Sequence, residues 1–293
     1  MGAADVVPGV SGGTMAFILG IYTQLIDAIR SFDLKWARAC LRVDLGTALQ
    51  RPHFAFLVPL MIGIFSAIIF FTRVVPLPRY IDTFPERVYG LFFGLVVGSI
   101  IVLFQRLGRV AVKDLAATLA GVVLGALVVC AVPTETPETW WFVAIAGSVA
   151  ICAMIVPGIS GSFILLILGK YAYVLNAIGH FDFTVIIPFG LGAVLGLVLF
   201  SRLLSWLLHH YERAALLAIN GVLMASLWMI WPFQERVFVI VRGKSRLLET
   251  TPQIPPASME TAIACALAAV GLITVLGLQS IADRRRSDGQ TLP

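Results

Sequence analysis

The sequence predicts an all-α polytopic membrane protein made of two inverted repeats, each a re-entrant helical hairpin followed by three transmembrane helices. Three observations predict it. First, the 293 residues are 59% hydrophobic, with 21 basic and 16 acidic side chains and a mean hydropathy of +0.95, where soluble domains are about 45–50% apolar and about 25% charged. Second, eight stretches lack Asp, Glu, Lys and Arg altogether: 6–26, 52–72, 88–105, 115–134, 139–169, 183–201, 214–234 and 261–282. About 20 apolar residues cross a hydrocarbon core of roughly 30 Å. Third, the chain repeats itself. This composition excludes a disordered chain, a nucleic-acid-binding domain and a typical cytosolic enzyme.

The repeat carries most of the information. Residues 6–33 read VVPGVSGGTMAFILGIYTQLIDAIRSFD and residues 155–182 read IVPGISGSFILLILGKYAYVLNAIGHFD, identical at 13 of 28 positions without a gap; chance gives about three. After an insertion of roughly 20 residues in the first copy, Pro59, Gly63, Phe71 and Arg73 align with Pro188, Gly192, Phe200 and Arg202. Gly94-Leu-Val-Val-Gly-Ser99 aligns with Gly221-Val-Leu-Met-Ala-Ser226.

The first repeat, 1–135, is expected to open on a truncated re-entrant hairpin (1–30). No signal-peptide pattern is visible, and the closeness of the motif to Met1 points to a short upstream segment or an unusually close start of translation. An amphipathic interfacial helix follows over 34–49, with Lys35, Arg38 and Arg42 on one stripe, Leu34, Ala37, Leu41 and Leu45 on the other, and Trp36 at headgroup level. Plain spans follow at 54–76, 86–105 and 113–132.

The second repeat, 136–283, starts with a complete hairpin over 139–178. Its charge-free run 139–169 is too long for one untilted crossing, and Pro157-Gly158 divides it into two arms of about 24 Å each. Unpaired backbone at mid-membrane depth requires cover by protein or water. Plain spans follow at 185–208, 213–232 and 260–280, and 284–293 is a cytoplasmic tail. Inverted repeats place 13 Lys and Arg on one side (30–53, 106–113, 202–213, 284–286) and 8 on the other (73–87, 170, 236–246), so the richer side is cytoplasmic. Broken but fully spanning segments, giving parallel repeats, also yield 13 against 8; the two topologies differ in the side of the C-terminus.

The chemistry lies in the interruptions. Pro8-Gly9-Val10-Ser11-Gly12-Gly13 and Pro157-Gly158-Ile159-Ser160-Gly161-Ser162 stand directly before apolar helices. Proline stops the incoming helix, glycine lets backbone approach a ligand, and serine caps the outgoing helix, whose free N–H groups point into the break. Phosphate or carboxylate suits such a place, with Ser11, Gly12, Gly13, Thr14, Ser160, Gly161 and Ser162 as the binding residues. A helix end supplies at most about 2 kcal/mol, so cations are required. Arg73 and Arg202 stand one residue beyond charge-free runs at corresponding places of the two copies, and guanidinium clamps phosphate bidentately; snorkelling to the interface accounts for their places equally well. Weaker candidates for gating or proton coupling are Asp5, Glu86, Arg87, Glu212 and Arg213, with Glu86 and Glu212 as partners for the adjacent arginines or as ordinary helix-start acids.

Enzyme signatures are scarce. The four histidines lack metal-ligand spacing, the four cysteines are scattered packing residues, and no P-loop lysine motif occurs. No cofactor is expected; proton or ion coupling is open.

GAADVVPGVSGGTMAFILGIY at 2–22, its echo VPGISGSFILLILGKY at 156–171, and Gly90-Leu-Phe-Phe-Gly-Leu resemble the bacterial polyprenyl-phosphate transporter family, formerly a domain of unknown function. The resemblance spans nearly the whole chain, departing at Ser162, where the first copy has Gly13, and at the missing leading arm of the first copy. It implies a multi-pass protein of the bacterial cytoplasmic membrane that returns undecaprenyl phosphate from the outer to the cytoplasmic leaflet for cell-envelope synthesis. The partners are then the lipid phosphate and the bilayer, with a homo-oligomer allowed. Two alternatives are kept. Lipid-pyrophosphate phosphatases share a PG-x-S element, but there an arginine follows the serine, whereas Gly12 and Gly161 follow here. A small-anion transporter would use a similar midplane site.

Overall fold

The computed structural model describes residues 1–7, 11–42, 44, 46, 50–75, 77–108, 111–241 and 244–289. The charge-free stretches are helical almost throughout. The first copy supplies α1 (Gly2–Asp5), α2 (Gly12–Ile18), α3 (Tyr22–Arg30), α4 (Leu34–Leu41), α5 (Phe54–Ile69, continued by a π turn at Phe70–Val74), α6 (Leu77–Thr83), α7 (Pro85–Leu107) and α8 (Val112–Val129). The second supplies α9 (Trp140–Ile155), α10 (Gly161–Ile167), α11 (Tyr171–Gly179), α12 (Phe183–His210), α13 (Glu212–Met229) and α14 (Met259–Gly289).

Four helical stretches among the described residues are long and apolar enough to cross a membrane: Phe54–Val74, Pro85–Leu107, Phe183–His210 and Met259–Ile281. The other two expected spans, 113–132 and 213–232, form the 18-residue helices α8 and α13, each about 27 Å long. One element was not expected from the sequence. Strands β1 (Gln234–Val241) and β2 (Lys244–Pro252) form an antiparallel hairpin between α13 and α14. Helix α14 continues through 284–289, so this part of the expected tail is helical. The amphipathic element is helical over Leu34–Leu41, capped by Asp33, which accepts from the Trp36 N–H. Asp33 also takes a bidentate pair from Arg51, which holds its carboxyl well below the usual carboxylate range. Residues 43, 45 and 47–49 of that element lie outside the described residues.

Helix directions follow from close backbone contacts at glycines. Gly90 and Gly94 of α7 lie against Ala264 and Ala268 of α14, and Gly121 of α8 lies against Ala218 of α13. Gly192 and Gly196 of α12 lie against Ala144 and Ser148 of α9. Residue numbers rise together in each pair, so each pair runs in one direction. The second span of each copy thus packs on the third span of the other. Arg213 at the start of α13 reaches the Leu107 carbonyl at the end of α7, and Asn220 further along donates to the Ile100 carbonyl, so α13 runs opposite to α7.

The bent pairs α2–α3 and α10–α11 match closely. Each joins a seven-residue helix to a nine-residue helix, and the second pair bends by 109°. The elbows hold Gly20 at φ 71° and Gly169 at φ 63°, a left-handed conformation that costs a residue with a Cβ about 1–2 kcal/mol. Polar contacts tie α3 to α12: Arg30 Nη1 donates to Ser205 Oγ at 3.0 Å, and Ser205 Oγ donates to Asp27 at 2.9 Å.

Candidate functional site

Helix α9 stops at Ile155, before Pro157, and its last carbonyls have no intrahelical partners. The first copy supplies those partners. Ser11 Oγ donates to the Met154 carbonyl at 3.2 Å, and Tyr22 Oη donates to the Ile155 carbonyl at 3.2 Å. Thr14 Oγ1 accepts the Gly158 N–H at 2.9 Å, holding a residue at φ 93°. Gly13 lies so close that a Cβ there would meet the Met154 and Ile155 carbonyls at 3.1 and 3.0 Å. The two interruptions therefore meet inside the protein. Pro8, Gly9 and Val10 lie outside the described residues.

The copies are not equivalent at this meeting point. In the first, Ser11, Gly12, Gly13 and Thr14 are all buried, and their polar groups are engaged. Ser11 Oγ also accepts the Gly13 N–H at 3.1 Å, and the Gly12 N–H donates to Asp5 at 2.8 Å. The Asp5 carboxylate thus takes the place at the start of α2 expected for a bound anion. In the second copy Met154 stands at the position matching Asp5. Ser160 is half-buried and Ser162 exposed, and their hydroxyls bond each other at 2.8 Å. Gly161 is buried against Ala150.

The candidate arginines fall into two classes. Arg73 lies exposed at the end of the π turn after α5, and Arg202 lies half-buried on α12; neither forms an ion pair among the described residues. Carrying the α9–α12 register six residues past Ser148 and Gly196 brings Arg202 to the height of Met154, near the end of α9. Arg87 and Arg213 have partners, but not the adjacent acids expected from sequence. Arg87 makes a bidentate pair with Glu260 of α14 at 2.7 and 2.8 Å. Arg213 binds Asp114 of α8 at 2.7 Å and the Leu107 carbonyl at 2.7 Å. Neighbouring helical residues point in different directions, whereas parallel packing brings the starts of α7 and α14, and of α8 and α13, together. Glu86 is half-buried at the start of α7, and Glu212 is exposed.

Glu212 borders a cavity of about 480 Å³ beside the first elbow, together with Gly20, Tyr22, Ser99, Arg106 and Arg213. Tyr22, whose hydroxyl holds the Ile155 carbonyl, links this lining to the meeting of the interruptions. Tyr22 and Lys170 were missed by sequence reasoning, although the doubled Gly-x-Tyr after each motif marks both. Lys170, counted from sequence only as one cation among 8, is 2% exposed at the second elbow, and its Nζ donates to the Thr136 carbonyl at 2.7 Å.

Comparison with known proteins bears on this arrangement. No solved structure matches the chain. A polyprenyl-phosphate transporter of Vibrio cholerae serotype O1 is 36% identical over 97% of this chain and 94% of its own length. A polyprenyl-phosphate transporter of Staphylococcus aureus is 29% identical over 79% of this chain and 83% of its own length. A family model described as undecaprenyl phosphate translocase-like matches residues 1–247, the stretch that carries both interruptions. On that match and the Vibrio likeness, this chain belongs to the undecaprenyl phosphate translocase-like family.

Proposed function

We propose that this chain carries polyprenyl phosphate across the membrane, returning undecaprenyl phosphate from the outer to the cytoplasmic leaflet of the bacterial cytoplasmic membrane for reuse in cell-envelope synthesis. The observation that carries the reading is the meeting of the two interruptions through Thr14 and Gly158. Uncharged, hydroxyl-rich backbone is kept inside the protein, where a headgroup finds polar partners while the isoprenoid tail stays in the bilayer. Both named relatives are polyprenyl-phosphate transporters. A phosphatase reading is disfavoured because Ser11 donates to a backbone carbonyl and Ser160 is paired with Ser162, so that neither bonds to a general base among the described residues.

The unit boundaries 1–135 and 136–283 belong to the same proposal. Opposed α7 and α13, each exchanged onto the third span of the other copy, support inverted repeats. Parallel α9 and α12 support a re-entrant second hairpin, because the chain between them must return to the side it left. The Ile167 carbonyl accepts from the N–H of Thr134, which precedes α9, and this supports the same return.

Within the site, phosphate sits against Ser160 and Ser162, with Gly161 giving close backbone approach and Arg202 supplying charge. Arg73 is its counterpart for the opposite access state. Ser11, Gly12, Gly13 and Thr14 hold the second interruption open in a fixed shape. The cavity at the first elbow is the route from the arginine-rich side, and alternating access exchanges it for a route at the second elbow. The test is competition: polyprenyl phosphate protects purified protein against thermal unfolding, while polyprenol and inorganic phosphate do not. Equal protection by inorganic phosphate would favour a small-anion transporter.

A further inference from the structure

The two elbows are corresponding parts of the two copies, and they are covered differently. At the first, formed by Leu19, Gly20 and Ile21, the cavity stands open and Arg106 Nη1 lies 3.9 Å from where a Cβ on Gly20 would be. At the second, residues 134–136 lie across the elbow as a strap. The Thr134 N–H donates to the Ile167 carbonyl at 2.9 Å, Thr136 Oγ1 donates to the Leu168 carbonyl, and Lys170 Nζ donates to the Thr136 carbonyl. Each elbow thus carries a cation, and only one of the two is covered.

Lys170 is the unusual member of this set. Its side chain is almost wholly buried, yet no carboxylate pairs with it among the described residues; Glu135 and Glu138 on the same connection are exposed. An ammonium has three donors. One reaches the Thr136 carbonyl, and the Tyr173 and Phe142 rings lie 5.4 and 5.9 Å away, a modest cation–π environment. Buried charges are normally paired, and an ionisable residue inside a membrane protein marks a pathway. A neutral carbonyl is a weak substitute for an anion, because hydrogen bonds to an ionised acceptor are roughly twice as strong.

We infer that Lys170 is a headgroup-capture residue: its ammonium exchanges the Thr136 carbonyl for a lipid phosphate, and that exchange releases the 134–136 strap and opens the second elbow. Resting on the transporter reading, the inference assigns the gate on one face of that transporter and the group that senses substrate there. Arg106 performs the capture at the first elbow, without a strap.

The test uses full-length protein, farnesyl phosphate as probe, and the variants Lys170→Gln and Lys170→Arg. Glutamine keeps an amide donor, one bond shorter than the ammonium, but carries no charge. Lys170→Gln is expected to melt like the parent and to bind farnesyl phosphate about tenfold or more weakly, while Lys170→Arg stays within about threefold. With the native cysteines replaced and Thr136→Cys introduced, labelling by an impermeant maleimide should rise on adding farnesyl phosphate, and should not rise with inorganic phosphate or in the Lys170→Gln background. Parent-like affinity and labelling in Lys170→Gln would overturn the inference while leaving the transporter reading intact. Equal opening by inorganic phosphate would overturn the assignment to a lipid headgroup. A parent protein that neither binds farnesyl phosphate nor moves polyprenyl phosphate would instead sink the transporter reading itself.

Discussion

Thr14 Oγ1 accepts the backbone N–H of Gly158 at 2.9 Å, joining residues 144 positions apart in the chain. Thr14 is 1% exposed, so the bond is shielded from water. Thr14→Val is expected to destabilise the protein by about 1–3 kcal/mol, the cost of one unsatisfied buried donor, whereas Thr14→Ser stays near the parent. Thermal unfolding in detergent measures the difference, and equal melting of the two variants would show that this bond is unimportant.

The asymmetry of the serines gives a second expectation. Ser11→Ala removes a buried bond to the Met154 carbonyl and should lower stability by about 0.5–1.5 kcal/mol. Ser160→Ala and Ser162→Ala break only an exposed hydroxyl pair, so they should melt normally and slow transport. Normal transport by the double variant Ser160→Ala, Ser162→Ala would remove both from the site.

For the arginines, Arg73→Ala and Arg202→Ala together should abolish lipid transport in protein that still folds, with Arg202 the stronger single effect because it lies at the height of Met154, near the end of α9. Transport rates in proteoliposomes, normalised to inserted protein, decide the matter. An unaffected double variant would reduce both residues to interfacial anchors.

The exchanged helices yield an ordering. The Asp114 carboxylate, 7% exposed, pairs with Arg213, while Glu260, paired with Arg87, is 45% exposed. Asp114→Ala should therefore lower the melting temperature more than Glu260→Ala, since exposed pairs contribute little. The reverse order would mean that the Arg87–Glu260 pair of α7 and α14 contributes more than the Arg213–Asp114 pair.

Much of this was legible in the sequence, and the rest was hidden for identifiable reasons. Charge-free runs marked the helices because hydrocarbon admits few charges, and the doubled Pro-Gly-x-Ser-Gly marked the interruptions because a helix must be stopped and restarted there. What the pattern did not disclose was partner choice. Arg87 and Arg213 stand beside acids in sequence, yet their partners come from the opposite copy, since helix packing rather than adjacency sets contacts. Similarly, Asp5 reads as an extra acid near a motif until folding brings its carboxylate to the Gly12 N–H. Lys170 resembles any loop cation until 134–136 closes over it.

The elbow glycines carry a conformational expectation. Gly20→Ala and Gly169→Ala each force a Cβ into left-handed backbone and should cost about 1–2 kcal/mol. Gly169→Ala should be the worse, because its Cβ would meet the Thr134 carbonyl at 2.8 Å while Gly20 faces only the Arg106 side chain at 3.9 Å. Melting of both variants checks the order, and an undisturbed Gly169→Ala would contradict the elbow geometry.

The most direct test of the central claim is transbilayer movement of a labelled polyprenyl phosphate in proteoliposomes, followed by quenching of the label in the outer leaflet. The account predicts movement well above protein-free vesicles, competed by unlabelled polyprenyl phosphate and lost in the variant Arg73→Ala, Arg202→Ala. Movement no faster than in protein-free vesicles, with folded and inserted protein, would contradict it.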